Sequence, residues 1–454
     1  MTVQRFDGWR RWGYALCNVG VGIGTVPTTL LLLYYMTQIA GLPASLAGLV
    51  VALPKLWDAL VDPMFGGWVD RVSVRMGSRS RVVLISGAGF LLTLAFTFSL
   101  PKIHSSMQVL VMVTLLQIIS STSQTALGVT QFALATEMTD TPVALSKLLS
   151  LAAVTSQILS VVFSILAPLL VVWSGGGSAG YSRMAAETAA IAGIALLLFV
   201  LVTRSVPVGK RTAESEQMPA WMALRATAAN RPFYLLIAFV LCANAAAAML
   251  FGFLPFANQY VLGGNSSSLS VLEGVIGVTV LLGMLLAPQF VRRLDAMVSM
   301  RLCNMVVVGM MGLMFAASFG PLWTTWIALT GVGLASGVIG VLIQTATLMA
   351  TRLELKKSAV VSMGFYLGIM LAGIKIGTSL GGFVSGQLLG MTGFVSGQVL
   401  QSPTTVMWLR AGYTVAPLLF TLIGTVFLNG VRLLATPPAD AGHLAPTEPG
   451  NAVV

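Results

Sequence analysis

The stretch VVALPKLWDALVDPMFGGWVDR, residues 50–71, is long and apolar enough to cross a bilayer, yet Asp58 and Asp62 stand one helical turn apart within it. Lys55 precedes Asp58 by three residues and so shares its face if the segment is helical. A carboxylate at bilayer depth costs roughly 2.5–3.5 kcal/mol on insertion scales, so three ionisable groups turned to lipid would cost roughly 8–10 kcal/mol. The physical alternative is a polar cavity inside a helical bundle. Two carboxylates against one lysine leave a surplus negative charge, which suits a monovalent cation or a shared proton.

The rest of the chain agrees with that reading. It is 56% hydrophobic and 9% charged, with a mean hydropathy of +0.90; soluble domains average about 25% charged residues. Its apolar runs are continuous, not alternating, which selects helices over a β-barrel. At about 20 residues per crossing, twelve spans fit, from about residue 12 to about residue 433. The expected fold is an all-α integral membrane protein of twelve transmembrane helices in two six-helix halves. The halves are expected at 1–203 and 233–435, with a linker at 204–232 and a Pro/Ala/Gly-rich, disordered tail at 436–454. A surface helix is expected at 219–229.

The net charge of +11 describes topology, not nucleic-acid binding. Basic residues gather at 5–11, 71–81, 204–231, 292–301 and 352–357, all on one side of the twelve-span layout; the other side holds only Lys102, Arg183 and Arg410. By the positive-inside rule both termini are expected in the cytoplasm, with the protein in the inner (cytoplasmic) membrane. The first span reads as a retained helix, not a cleaved signal. Cys17, Cys242 and Cys303 lie inside spans and read as small apolar residues. His104 and His443 lie outside the spans, so the core offers no haem, zinc or Ser/His/Asp chemistry. No enzyme, no cofactor and no metal beyond a monovalent cation is expected.

Other polar side chains at bilayer depth extend the candidate site. Lys375 is the lone charge deep in the eleventh span and is expected to approach the aspartates from the other half. Gln117, Gln124 and Gln131 recur every seven residues in the fourth span and could line a solute cavity with Asn18 and Tyr366. Gly66, Asp70 and Arg71, read as part of a cytoplasmic loop, are candidates for a gate. The hexapeptide GFVSGQ occurs at 382–387 and again at 393–398, with no function assigned.

The run KLWDALVDPMFGGWVDR, followed by Arg-x-Gly-Ser-Arg-Ser-Arg at 75–81, resembles the glycoside–pentoside–hexuronide:cation symporter family, the melibiose permease-like branch of the major facilitator superfamily. YYMTQIAGL at 34–42, ALATEMTD at 133–140, NRPF at 230–233 and the Lys-x-Gly at Lys375 fit the same family. The resemblance implies a monomeric cation-coupled symporter that moves a small organic solute by alternating access, driven by Na⁺ or H⁺. It also implies that Asp58 and Asp62 bind the cation and that Lys375 is the family lysine. The family's sugar-binding aspartates are missing: Gly22 and Gly128 stand at their places, which points to a less polar or amphipathic solute. A proton-coupled exporter of amphipathic compounds and a non-transporting membrane scaffold are the alternatives.

Overall fold

The computed structural model describes residues 8–101, 105–139, 142–204, 230–355, 363–395, 398 and 400–431; the side chains of 8–10, 62–67, 70, 74, 136, 142–146, 348–355 and 363–367 are not described. The expected linker, surface helix and tail fall largely or wholly outside these residues. Among the described residues, twelve helices are long and apolar enough to cross a membrane. In the first half they are α1 (Gly8–Tyr34), α2 (Ala44–Met76), α3 (Arg79–Thr97), α4 (Ser106–Met138), α5 (Pro142–Trp173) and α6 (Gly177–Thr203). The second half comprises α7 (Arg231–Phe256), α8 (Ser266–Arg293), α9 (Ala296–Ala317), α10 (Leu322–Leu355), α11 (Met363–Met391) and α12 (Pro403–Gly430).

One expectation is corrected. Helix α2 runs through Gly66, Asp70 and Arg71, which are therefore helical and not part of a loop. The chain turns only at Gly77, whose φ of 63° is one that glycine adopts without strain. A helix that projects past the hydrocarbon can carry charges, so charge alone misplaced this boundary.

Local chemistry sets the other ends. Asn230 caps α7 by accepting from the Phe233 N–H at 3.2 Å, and Pro232 occupies the first turn, where its missing N–H is harmless. Asn265, Asp295 and Ser402 cap α8, α9 and α12 in the same way. Helices α1 and α7 end alike. Each widens into a π-turn, Tyr35–Ile39 and Ala257–Val261, and stops at a left-handed glycine, Gly41 or Gly263. The closing bonds also match: Leu42 N–H donates to the Met36 carbonyl at 2.8 Å, and Gly264 N–H to the Asn258 carbonyl at 2.7 Å.

The two halves meet along α2 and α11, which run antiparallel. Glycine explains their closeness. Gly373, Gly377 and Gly381 form one small-residue stripe on α11, where an added Cβ would press on α7 at Ile237, Leu241 and Ala245. Gly382, Gly386 and Gly390 form a neighbouring stripe that faces Val51, Gly48 and Ser45 of α2. Both are the four-residue spacing by which small residues let helix backbones touch in a membrane. The first GFVSGQ copy supplies Gly382 and Gly386; in the second, Phe394 follows α11 and sits edge-on to Phe256 and Tyr260.

All these contacts between halves lie in the middle or at the charge-poor end of the bundle. A leucine at position 386 has no room beside the Gly48 backbone, 2.4 Å from the added Cβ. Gly386→Leu is therefore expected to prop that end apart. Disulfide cross-linking between Ser45→Cys and Gln387→Cys should fall several-fold in that background, with helical content by circular dichroism retained.

Candidate functional site

The α2–α11 seam is a ladder that ends in charge. From the charge-poor end inward, the Gln387 amide donates to the Ser45 carbonyl at 3.3 Å and the Ser379 hydroxyl to the Ala52 carbonyl at 2.9 Å. The last rung is an ion pair, Lys375 Nζ to Asp58 Oδ2 at 3.3 Å. The Asp58 side chain is 5% exposed and the Lys375 side chain 25%. Lys375 thus approaches Asp58 from the opposite half, at the depth where the central cavity begins. The Asp62 side chain lies outside the described residues; its backbone continues α2 one turn beyond Asp58.

A central cavity of about 800 Å³, part of it open solvent, is lined by Lys55 and Thr378, each one helical turn from a member of this pair, but by neither Asp58 nor Lys375. Helix α1 contributes Thr25, Thr28 and Thr29, α4 contributes Gln117, Ser121 and Gln124, and α11 contributes Thr378. Lys55 lines it from α2, and Leu32, Leu33 and Phe251 form its apolar wall. The lining therefore combines hydroxyl and amide groups with apolar side chains. Gln117 is oriented by donating to the Thr97 hydroxyl at 3.0 Å, and Gln124 reaches Ser120 at 3.4 Å.

Other sequence candidates fall elsewhere. Gln131 does not line this cavity; its backbone carbonyl accepts from Tyr14 at 3.0 Å and its side-chain nitrogen is buried without a partner. Asn18 is half-buried, and its carbonyl accepts from Ser156 at 2.8 Å. The side chains of Tyr366 and Asp70 lie outside the described residues, while Arg71 is exposed at the end of α2. Gly22 faces α5 and not this cavity, since an added Cβ would lie 2.5 Å from the Ser156 hydroxyl and 2.7 Å from that of Ser160.

Two features were not singled out from the sequence. At the charge-poor end, α1 and α7 are latched by neutral groups. The Tyr34 hydroxyl bonds Gln259, and the Gln38 amide donates to the Tyr260 hydroxyl at 2.9 Å, which itself donates to the Gln398 carbonyl at 3.1 Å. At the basic end, buried Arg79 forks onto Glu137, with Nε at 3.0 and 2.9 Å from the two carboxylate oxygens. That pair joins two motifs noted above, Arg-x-Gly-Ser-Arg-Ser-Arg and ALATEMTD, and so ties α3 to α4 within one half.

Twelve membrane-length helices, a cavity between two halves and a charged seam define a secondary transporter of the major facilitator type. A family model described as MFS/sugar transport protein matches residues 13–432, and the chain belongs to that family of transporters, which are not enzymes. It is 24% identical to a glucuronide carrier protein homolog of Escherichia coli (strain K12), over 92% of this chain and 90% of that protein. It is also 24% identical to an uncharacterized symporter of Bacillus subtilis (strain 168), over 95% and 93%. Among solved structures, a bacterial homolog of the human lysosomal transporter Spinster superposes with a TM-score of 0.71 at 15% identity, covering 95% of this chain and 98% of that one. The nucleoside transporter NupG gives 0.68 at 15% identity, covering 93% and 98%. These superpositions show the fold.

Removing one member of the seam pair strands the other, so Asp58→Asn and Lys375→Met are each expected to destabilise the protein. The double variant should recover part of the loss, leaving a coupling energy of about 1–2 kcal/mol. Thermal unfolding of the four proteins in detergent, in buffer free of sodium, measures it.

Proposed function

We propose that this transporter is a cation-coupled symporter of a small organic solute. The observation that carries the reading is the Asp58–Lys375 pair, which joins the two halves one helical turn from the cavity residues Lys55 and Thr378. In the absence of the coupling ion, the lysine ammonium neutralises Asp58. A Na⁺ ion or a proton arriving at Asp58 and Asp62 takes over that role and frees Lys375. The last rung between the halves is then lost, and the barrier to their rocking falls. Binding of the ion and movement of the halves are thereby one event.

The cavity supports a solute that presents hydroxyl or carbonyl groups to Thr25, Thr28, Gln117 and Gln124 and an apolar flank to Leu32, Leu33 and Phe251. An amphipathic glycoside has that shape, and the carrier relative points the same way. The glycines at positions 22 and 128 mean that uncharged groups, not paired carboxylates, would do the recognising. With both termini in the cytoplasm, as the basic loops suggest, the closed end faces outward and the conformer faces inward. The protein would act as a monomer in the cytoplasmic membrane, with Arg71 and its neighbours on α2 at the inner gate.

A ligand that binds only the folded state raises stability by RT ln(1 + [L]/Kd). Thermal unfolding of the purified protein in Na⁺, Li⁺ and K⁺, and across pH, is expected to reveal a selective rise with sodium or a proton-dependent one, lost in both Asp58→Asn and Asp62→Asn. Lys375→Met should shift the half-saturating ion concentration several-fold downward, because the competing ammonium is gone. Identical responses from wild type and both aspartate variants would overturn the reading and leave the pair a structural brace.

A further inference from the structure

Helix α8 carries a carboxylate that the site above does not use. Glu273 is 3% exposed, and its Oε1 has no hydrogen-bond partner. Among the described residues it forms no ion pair. The helices packed against α8 are α5, α9 and α10. Their charged residues are Lys147, Arg301, and Arg352 with Glu354, all at the opposite, basic end of the bundle. The titratable group near enough to interact with Glu273 is Tyr413 of α12, fully buried and with its own hydroxyl unpartnered. Arg410, one turn away on α12, stacks on the Phe319 ring at 3.8 Å. An ionised carboxylate in such a place would have no charge among the described side chains to offset its desolvation.

The position of Glu273 on its helix decides what that proton could do. Gly277, one turn on and on the same face, abuts Val161 of α5, where an added Cβ would lie 2.9 Å from the valine. Gly274 abuts Ile165 of α5 at 3.1 Å. The stripe facing α10, at Ile276, Thr279 and Val280, touches Gly333 and Gly337 on the other flank. Glu273 therefore lies between the two stripes, at the edge of the seam where α5 of one half covers α8 of the other. That seam is at the closed, charge-poor end, so parting of the halves there uncovers the carboxyl.

We infer that Glu273 is a second proton-binding site: it holds a proton while α5 and α8 are in contact, and gives it up to solvent at that end when they separate. The step is a simple exchange, in which the carboxylic O–H bond breaks, water takes the proton and the carboxylate is hydrated. It involves a different half from Asp58 and does not depend on that residue's role.

Infrared spectroscopy of the purified protein at mildly alkaline pH tests this through the carbonyl stretch of a protonated carboxylic acid. The band is expected in the wild type and in Asp58→Asn, and is expected to disappear in Glu273→Gln, which keeps the shape and removes the acid. Gly277→Trp wedges α5 from α8; opening is checked by labelling Gln38→Cys with a membrane-impermeant maleimide, and Gly386→Leu serves as the wedge if labelling shows no opening. In the opened protein the band should be lost at the same pH. A spectrum unchanged by Glu273→Gln overturns the proposal, because Glu273 then holds no proton. A band that persists once labelling shows the end open overturns it equally, because the acid is then a fixed part of the core.

Discussion

The close approach of α2 and α11 is the constraint on which the remaining architecture rests. Two polypeptide backbones can come within touching distance in a bilayer only where side chains are absent, and α11 supplies that on two adjacent faces. One glycine stripe binds it into its own half against α7, and the other presents it to the opposite half. A helix shared in this way couples the halves mechanically, since α11 cannot part from α2 without the whole second half moving. The Asp58–Lys375 pair sits where this glycine seam runs out, at a depth where charge is costly and therefore informative.

Near-identical ends on α1 and α7 add a second level of order. Each half closes its first helix with a π-turn and a left-handed glycine, and the residues that join across the midline come from the corresponding turns. Gln38 and Tyr260 occupy the fourth position of their respective π-turns and bond to each other. A π-turn widens the helix and swings these side chains toward the partner helix, which a regular α-helical ending would not do. The duplicated GFVSGQ hexapeptide touches both levels: one copy is helix against α2, and Phe394 and Gln398 of the other meet Tyr260.

The fold was legible in the sequence because a bilayer leaves few options: continuous apolar runs must be helices, and the basic loops fix their alternation. The approach of Lys375 to Asp58 was legible for a related reason, as isolated charges of opposite sign at one depth have little else to meet. Three things were not. Charge marked residues 66–78 as loop, whereas α2 continues to Met76. A seven-residue spacing keeps residues near one face but says nothing of depth: Gln131 lies about 21 Å along the helix from Gln117, beyond the cavity and against Tyr14. Glu273 was overlooked because it has no charged neighbour in sequence, although the argument applied to Asp58 holds equally for a lone carboxylate in the eighth span.

The latch at the charge-poor end has a consequence for how the protein senses its surroundings. Its described bonds join phenols, amides and carbonyls, all neutral, so mobile ions have no field there to screen. The charged rung lies at the buried centre of the seam, where screening is weak as well. Ionic strength as such therefore has little hold on the balance between closed and open. On the proposed coupling, a saline medium would act on the resting conformation through the ions that reach the carboxylates, and not through screening.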